Sequence, residues 1–251
     1  NDERLGCNAL QGELMRRFFA AGERDGFLKI DGDEAAHITR VLRGRAGDKI
    51  IAILDGEECE CEITEASKNE VTAKILSRRE CAGDPKKRVT LYIACIKSDK
   101  LELTVQKAAE LGADCVAFFA AGRSVRVPDE KSGAKLMGRC ERIALEAMKQ
   151  CGRSKKMKLG GILGFDEMVR RVKEHELALL AYEASESSLH NAMCDADDIA
   201  LIIGPEGGFE EAEAETLREA GAREVSLGKR ILRAETAAIA LMSIVSYRYG
   251  V

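Results

Sequence analysis

No stretch of this chain stays apolar for the ~20 residues that a membrane span needs, and the sequence opens without the basic-then-apolar pattern of a secretion signal. A cytoplasmic protein is the expectation. Histidine is scarce: His37, His175 and His190 are the whole set, and none has metal-ligand spacing with another His or Cys. No metal site is expected. The nine cysteines (Cys7, Cys59, Cys61, Cys81, Cys95, Cys115, Cys140, Cys151 and Cys194) are odd in number and form no CxxC pair. They are read as reduced thiols, mostly within apolar stretches, rather than a disulfide framework. Also missing are the phosphate-cradling signatures, both GxxxxGK followed by Ser or Thr and GxGxxG with a downstream acid. An overall basic charge is absent too. The net charge is -4, so a nucleic-acid partner would have to meet a local basic surface.

What remains is a globular balance: 45% hydrophobic and 33% charged residues over 251 positions, enough for one large domain or two of ordinary size. Residues 1–14 precede the first methionine, Met15, and are read as an extension or added segment outside the functional argument.

From Met15 to about Arg79 the pattern is mostly strand. Cys61 and Ile63, and then Val71, Ala73 and Ile75, alternate with polar neighbours, and Lys49 to Leu54 is a short apolar run. Asp31-Gly32, Gly47-Asp48 and Asp55-Gly56 mark turns. One helix is expected from about Asp33 to Arg43, with Asp33 as N-cap and Gly44 as stop. This predicts a small β-barrel over 15–80. The polar segment 81–88 reads as a linker.

Beyond it short apolar strands alternate with helices: strand 89–95, helix 99–111, strand 115–119, helix 134–151, strands 177–182 and 199–203, helix 210–220, strand 224–226 and helix 235–248. That alternation predicts an α/β domain with a mostly parallel sheet, whose ligand sits at the carboxyl ends of the strands.

One such end carries Leu201-Ile202-Ile203-Gly204-Pro205-Glu206-Gly207-Gly208-Phe209, an apolar strand running into three glycines before a helix. A tight turn is the plain reading. The functional reading is close approach of backbone to a ligand. Glu206, Glu210, Glu211 and Glu213 would occupy the field that a phosphate wants at a helix start. A polyphosphate is therefore disfavoured. S-adenosylmethionine (SAM) fits better, with its cationic sulfonium and an adenine that needs backbone partners and apolar walls. A second loop, Ser226 to Arg233, interleaves Lys229, Arg230 and Arg233 with Leu227, Ile231 and Leu232 before an apolar helix. It is either a solvated loop or a cofactor wall with arginines facing an anion.

Together, "LIIGPEGGF" and "SLGKRILRAETAAIAL" resemble the C-terminal knot motifs of the SPOUT methyltransferases. Within that class the resemblance is to the family that methylates N3 of a uridine in 16S ribosomal RNA of the small subunit. Supporting segments occur in order: Met15 to Phe19, His37 to Arg43, Lys97 to Lys100, Gln106 to Gly112, Arg123 to Val125 and Glu146 to Arg153. The chain departs from the family pattern at Cys151, where Ser is usual, and at Lys155, Lys156 and Met157, where a Pro is usual.

The resemblance implies an α/β SPOUT fold with a C-terminal trefoil knot, a preceding PUA-like RNA-binding barrel, a homodimer and SAM as cofactor. It implies that Tyr182, Glu183, Ile203, Gly204, Glu206, Gly207, Gly208, Leu227, Gly228, Ile231 and Leu232 bind the cofactor. Arg233 would hold the uracil carbonyls or a phosphate, and Glu235 would accept the N3 proton, although an acid in a first helical turn is favourable anyway. Glu146, Gln150 and Arg153, at i, i+4 and i+7 of one expected helix face, and Arg123 would meet substrate.

In the barrel, twelve Lys/Arg stand against fourteen Asp/Glu over 15–80. RNA contact there falls to a local patch of Arg16, Arg17, His37, Arg40 and Arg43. Two other readings stay open. One is a knotted enzyme acting on tRNA or a ribose hydroxyl. The other is a non-catalytic RNA-binding assembly factor, against which the intact glycine loops argue.

Overall fold

The computed structural model describes residues 17–81, 83–125 and 127–250. The extension 1–14 and Arg16 lie outside the described residues. The chain divides between Glu80 and Cys81 into two compact units.

The first unit contains strands β1 (Arg17–Phe19), β2 (Gly22–Arg24), β3 (Phe27–Asp31), β4 (Lys49–Leu54), β5 (Glu57–Ala66) and β6 (Glu70–Glu80) in one sheet ordered β1-β4-β5-β6-β3-β2. β1 pairs with β4 in parallel and the other neighbours are antiparallel. The strands alternate as expected, with Cys59, Cys61, Ile63, Val71 and Ala73 turned into a core shared with Phe18, Leu28, Ile30 and Ile38. The expected small β-barrel is a half-barrel. After β1, Ala20 still bonds to Ile53 of β4 while Ala21 bonds to Lys29 of β3, so one turn of chain draws the two flanks of the sheet together.

The expected helix 33–43 is shorter and of two kinds. A single α-helical stretch, α1 (Gly32–Ala36), passes into a π-helical turn over His37–Val41 closed by Leu42 N to His37 O at 3.1 Å. Asp33 lies inside α1, and Asp31 stands at the N-cap without a side-chain cap bond. The stop comes one residue early. Arg43, not Gly44, takes the left-handed conformation (φ 57°), and Gly44 closes against the Ile38 carbonyl.

The second unit has a six-stranded sheet ordered β12-β10-β11-β7-β8-β9, parallel throughout: β7 (Arg88–Ala94), β8 (Cys115–Phe119), β9 (Lys158–Leu163), β10 (Leu177–Ala181), β11 (Asp198–Ile203) and β12 (Ala222–Val225). β11 is buried at every position after its first, because helices cover both faces of a parallel sheet. The helices are α2 (Ser98–Glu110), α3 (Glu130–Cys151), α4 (Phe165–Val172), α5 (Leu189–Ala192), α6 (Glu211–Glu219) and α7 (Ala234–Tyr249). α7 buries Ala234, Ala238, Leu241, Met242 and Val245 on one stripe and packs against α2, β7 and β11. Strand order reverses beside β7, and ligand crevices form at carboxyl ends near such a reversal.

The expected linker belongs to this unit. Cys81 Sγ donates to Gly152 O. Asp84 accepts from the backbone amides of Ser154 and Lys155 and from the Ser154 hydroxyl. No helix among the described residues is long and apolar enough to cross a membrane.

Candidate functional site

The loops that leave β10, β11 and β12 meet at the carboxyl end of the sheet and enclose a cavity of about 450 Å³. Tyr182 and Glu183 come from the first loop, and Ile203, Gly204, Glu206, Gly207 and Gly208 from the second. Leu227, Gly228, Ile231 and Leu232 come from the third, so all eleven residues expected at a cofactor line one space. Pro205, Phe209, Lys229, Arg230 and Arg233 line it as well.

Local chemistry sets the shape of the glycine loop. Phe209 is buried and stacks on Phe119, with ring centroids 6.2 Å apart and 9° between planes, which pins the loop to the sheet. A Cβ on Gly204 would stand 2.8 Å from the Phe209 ring, so only glycine lets the chain cross that ring. Gly208 sits at φ +72°, and a Cβ there would run into the Glu183 carboxylate. After the loop, Glu210 and Glu213 form a capping box that starts α6, and Glu213 also accepts from Gly122 N at 2.8 Å. Those acids are spent on the fold. Glu183 and Glu206 are exposed at the cavity.

Tyr182 is tethered. Its hydroxyl donates to Glu211 Oε2 at 2.8 Å, and Glu211 pairs with Arg218. The Arg218 hydrogen bond first, and the Tyr182 bond second, hold the Glu211 carboxyl below its ordinary value, and the same bond to Glu211 raises the Tyr182 phenol. The third loop is different. Among the described residues, no backbone hydrogen bond is donated from Lys229 through Leu232 to the chain itself, and Ile231 is 89% exposed. Free amides and exposed apolar side chains at a cavity edge suit a ligand with a flat apolar ring and polar edges.

The residues expected to act on substrate are scattered. Arg233 is at the cavity, as N-cap residue of α7. Arg123 lies on the outer side of the glycine loop, donating from Nη1 to Gly207 O at 3.2 Å. Glu235 does not line the cavity. It is buried in the first turn of α7 and pairs with Lys100 of α2 at 3.3 Å, so its expected role as proton acceptor is replaced by a bridge between two helices.

Arg153 is also corrected. α3 ends at Cys151, and Gly152 turns left-handed (φ 84°), so Arg153 leaves the helix face that Glu146 and Gln150 share. It is 2% exposed and donates from Nη1 to the carbonyls of Ala109 (2.9 Å) and Ala113 (2.8 Å), closing the end of α2. Burial lowers its pKa, and the nearby Asp114 opposes that shift. Glu146 and Gln150 border a groove with Gln106, Lys107, Arg139 and Arg142, apart from the cavity.

In the first unit Arg40 and Arg43 are exposed. Arg17 pairs with buried Glu58 at 3.1 Å, and His37 sits edge-on to Phe18. Among the described residues no cluster of His, Cys, Asp and Glu could hold a metal ion, and the cysteines are free. Burial pushes Cys95 up to about 11 and Cys140 up to about 12, which leaves them inert at neutral pH. Pro205, Phe209, Lys229 and Arg230 belong to the two loops expected at the cofactor, while Ala181, Val225, Ala234 and Ala237, at the ends of the flanking strands and helix, line the cavity as well and were not singled out from sequence.

Comparison with known proteins agrees with this geometry. Residues 84–246 match the family described as RNA methyltransferase domain, and residues 30–76 the family described as RNA methyltransferase PUA domain. The ribosomal RNA small subunit methyltransferase E of Bacillus subtilis is 33% identical over 230 residues, covering 88% of this chain and 90% of that protein. Its Mycobacterium tuberculosis counterpart is 32% identical, covering 86% and 84%. Among solved structures, a Legionella pneumophila methyltransferase with bound SAM superposes with a TM-score of 0.85 at 30% identity, covering 93% of this chain and 98% of that one. A Neisseria gonorrhoeae ribosomal RNA small subunit methyltransferase E bound to SAM gives 0.83 at 26% identity, covering 94% and 98%.

Proposed function

The chain belongs to the ribosomal RNA small subunit methyltransferase E family, and from that premise we propose that it transfers a methyl group from SAM to N3 of a uridine in 16S ribosomal RNA. The single observation that carries the reading is the convergence of three separate loops, two of them glycine-bearing, on one cavity with apolar walls and unpaired amides.

The residues present fit SAM. Leu227, Ile231, Leu232 and Ile203 offer apolar walls for adenine, and the free amides of the third loop offer partners for its polar edge. The acids at the mouth, Glu183 and Glu206, suit a cationic ligand better than a phosphate. SAM supplies an already activated methyl group. The protein's task is to orient the acceptor and exclude water. Arg233 stands at the cavity and would donate to a uracil carbonyl, stabilising the N3 anion so that the N3 proton leaves more readily to water. Arg123 steadies the glycine loop through Gly207 O. Gln150 lies on the α3 groove and would meet RNA outside the reacting centre.

We assign residues 15–80 to RNA binding through Arg40 and Arg43, and residues 89–251 to catalysis. The C-terminal segment adopts the trefoil knot of its family. A return from edge strand β12 to the middle of the sheet, where α7 meets β7 and β11, supports this. The enzyme works as a homodimer in the cytoplasm. Ile244 and Tyr247 of α7, 42% and 93% exposed, supply the apolar surface that a second copy would cover.

The test is incubation of the purified chain with labelled SAM and small ribosomal subunits, followed by nucleoside analysis. N3-methyluridine is the expected product. Label in a ribose methyl, or label taken up only by tRNA in a parallel incubation, would overturn the assignment in favour of a different knotted enzyme.

A further inference from the structure

The long helix α3 carries a run of cations that the cavity does not use. At 100° per residue, Lys131, Lys135, Arg139 and Arg142 fall within an arc of about 80°, and all four are exposed. Lys149 returns to the same line near the C-terminal end, paired with Glu146 at 2.9 Å. The other acids of the helix, Glu130 and Glu141, fall outside the arc. Arg139 is paired with Glu102 of α2. Lys131, Lys135 and Arg142 have no carboxylate partner among the described residues. Arg142 donates from Nε to the Gly138 carbonyl at 3.3 Å.

Three exposed cations on one face cost nothing in a solvated helix, so their number is not the argument. Spacing and position are. The four cations follow at steps of four, four and three residues, and the three without a carboxylate partner, Lys131, Lys135 and Arg142, stand about 6 and 10 Å apart along the helix, so their long side chains span successive phosphates of one nucleic-acid strand. α3 is entered from the loop that carries Arg123, whose guanidinium lies on the glycine loop of the cavity. The row therefore starts at the carboxyl end of the sheet, where the reacting base would sit, and runs away from it over about 16 Å. Its far half borders the groove of Gln106, Arg139, Arg142 and Gln150, where the two acids, Glu110 and Glu146, are paired with Lys107 and Lys149, and the Gln106 and Gln150 amides can donate to sugar and phosphate oxygens without reading sequence.

We propose that this face of α3 is a backbone track for the ribosomal RNA strand that flanks the methylated nucleotide, with Lys131, Lys135 and Arg142 as its phosphate contacts. The inference rests on the RNA-substrate reading given above. The track fixes the register of the strand on the catalytic unit, while the cavity selects the base.

The test uses the full chain, a 16S ribosomal RNA transcript and the triple charge reversal Lys131→Glu, Lys135→Glu, Arg142→Glu, with a milder triple change to Gln beside it. RNA affinity is measured across a salt series, and SAM affinity by calorimetry. The expected result is at least tenfold weaker RNA binding by the reversal and a smaller loss for the Gln variant. The slope of log affinity against log salt should fall by about 2, three phosphates at roughly 0.7 each, with SAM affinity unchanged. An unchanged RNA affinity and slope with intact SAM binding would overturn the track alone. A wild-type chain that binds SAM but no small-subunit RNA would overturn the substrate reading with it. A reversal that alters sedimentation but not RNA affinity would give the face to a second copy of the chain, and would overturn the track.

Discussion

The two ends of the parallel sheet are built on opposite principles. At the amino end, polar side chains tie the loops shut. Asp198 pairs with Arg88 at 3.1 Å and with His175 Nδ1 at 2.8 Å, and His175 Nε2 shares a hydrogen bond with the buried Tyr92 hydroxyl. Asp114 accepts from Val89 N and Glu176 from Asp197 N, each at 2.8 Å. At the carboxyl end such ties hold only the loops after β10 and β11, Tyr182 to Glu211 and Gly122 N to Glu213, and the loop after β12 is left open. Glycines replace side chains, Lys229–Leu232 leaves its amides unpaired within the chain, and Ile231 stands in solvent. Backbone polar groups are left open only where something else is to meet them. The closed end therefore carries stability, and the open end carries function.

Substitutions that separate these two roles break or sharpen the contrast. The largest effect belongs to the open end. Arg233→Ala should lower kcat by roughly 100-fold or more, the scale of a lost transition-state donor, and shift stability by less than about 0.5 kcal/mol. Single-turnover kinetics beside a urea melt would read both. Next, Arg153→Met should cost about 1–2 kcal/mol of stability, since the carbonyls of Ala109 and Ala113 lose their charge-assisted donor, a loss partly offset because a buried guanidinium with unpartnered Nε and Nη2 is removed. Its SAM affinity should stay within twofold. A catalytic Arg153 would give the opposite split.

Gly208→Ala should cost about 1–2 kcal/mol from left-handed strain and displace Glu183. Its SAM affinity by calorimetry should fall more steeply than its melting point suggests. At the closed end, Asp198→Asn should lose about 1–2 kcal/mol with methylation rates unchanged. The smallest effect is acidic. The lowered Glu211 carboxyl contributes stability that is fully present above the ordinary carboxylate range and is lost as pH falls through its lower folded value. Melting points from pH 7 to 3 should show a shallower acid slope for Glu211→Gln than for the parent.

The same contrast explains what could be read from sequence. β7, β8, β10 and β11 are short apolar runs because both their faces are covered, and their limits lie within a residue or so of those expected. β9 went unseen. It is an edge strand with Gly160 and Gly161 in its middle, and Gly160 is small because a Cβ there would stand 2.8 Å from the Ala117 Cβ. α4 does carry a helical period, Phe165, Met168, Val169 and Val172 at i, i+3, i+4 and i+7, which the sequence reading passed over, whereas α5 is a single turn with none to show. The π-helical turn at His37–Val41 has no local signature at all.

For the site, contiguous loop motifs named the cavity wall well, since glycine loops advertise themselves. Single residues did worse. Arg153 and Glu235 sit beside the right motifs in sequence, but a left-handed Gly152 and the rotation of α7 turn them into packing. Only the fold reveals which way a side chain leaves its motif.

The central claim is that the open end holds SAM. Calorimetric titration of the purified chain with SAM, with ATP as control, tests it most directly. Binding of SAM in the micromolar range with no heat from ATP is the predicted result. A folded chain that takes up no SAM, or that binds ATP equally well, would contradict it.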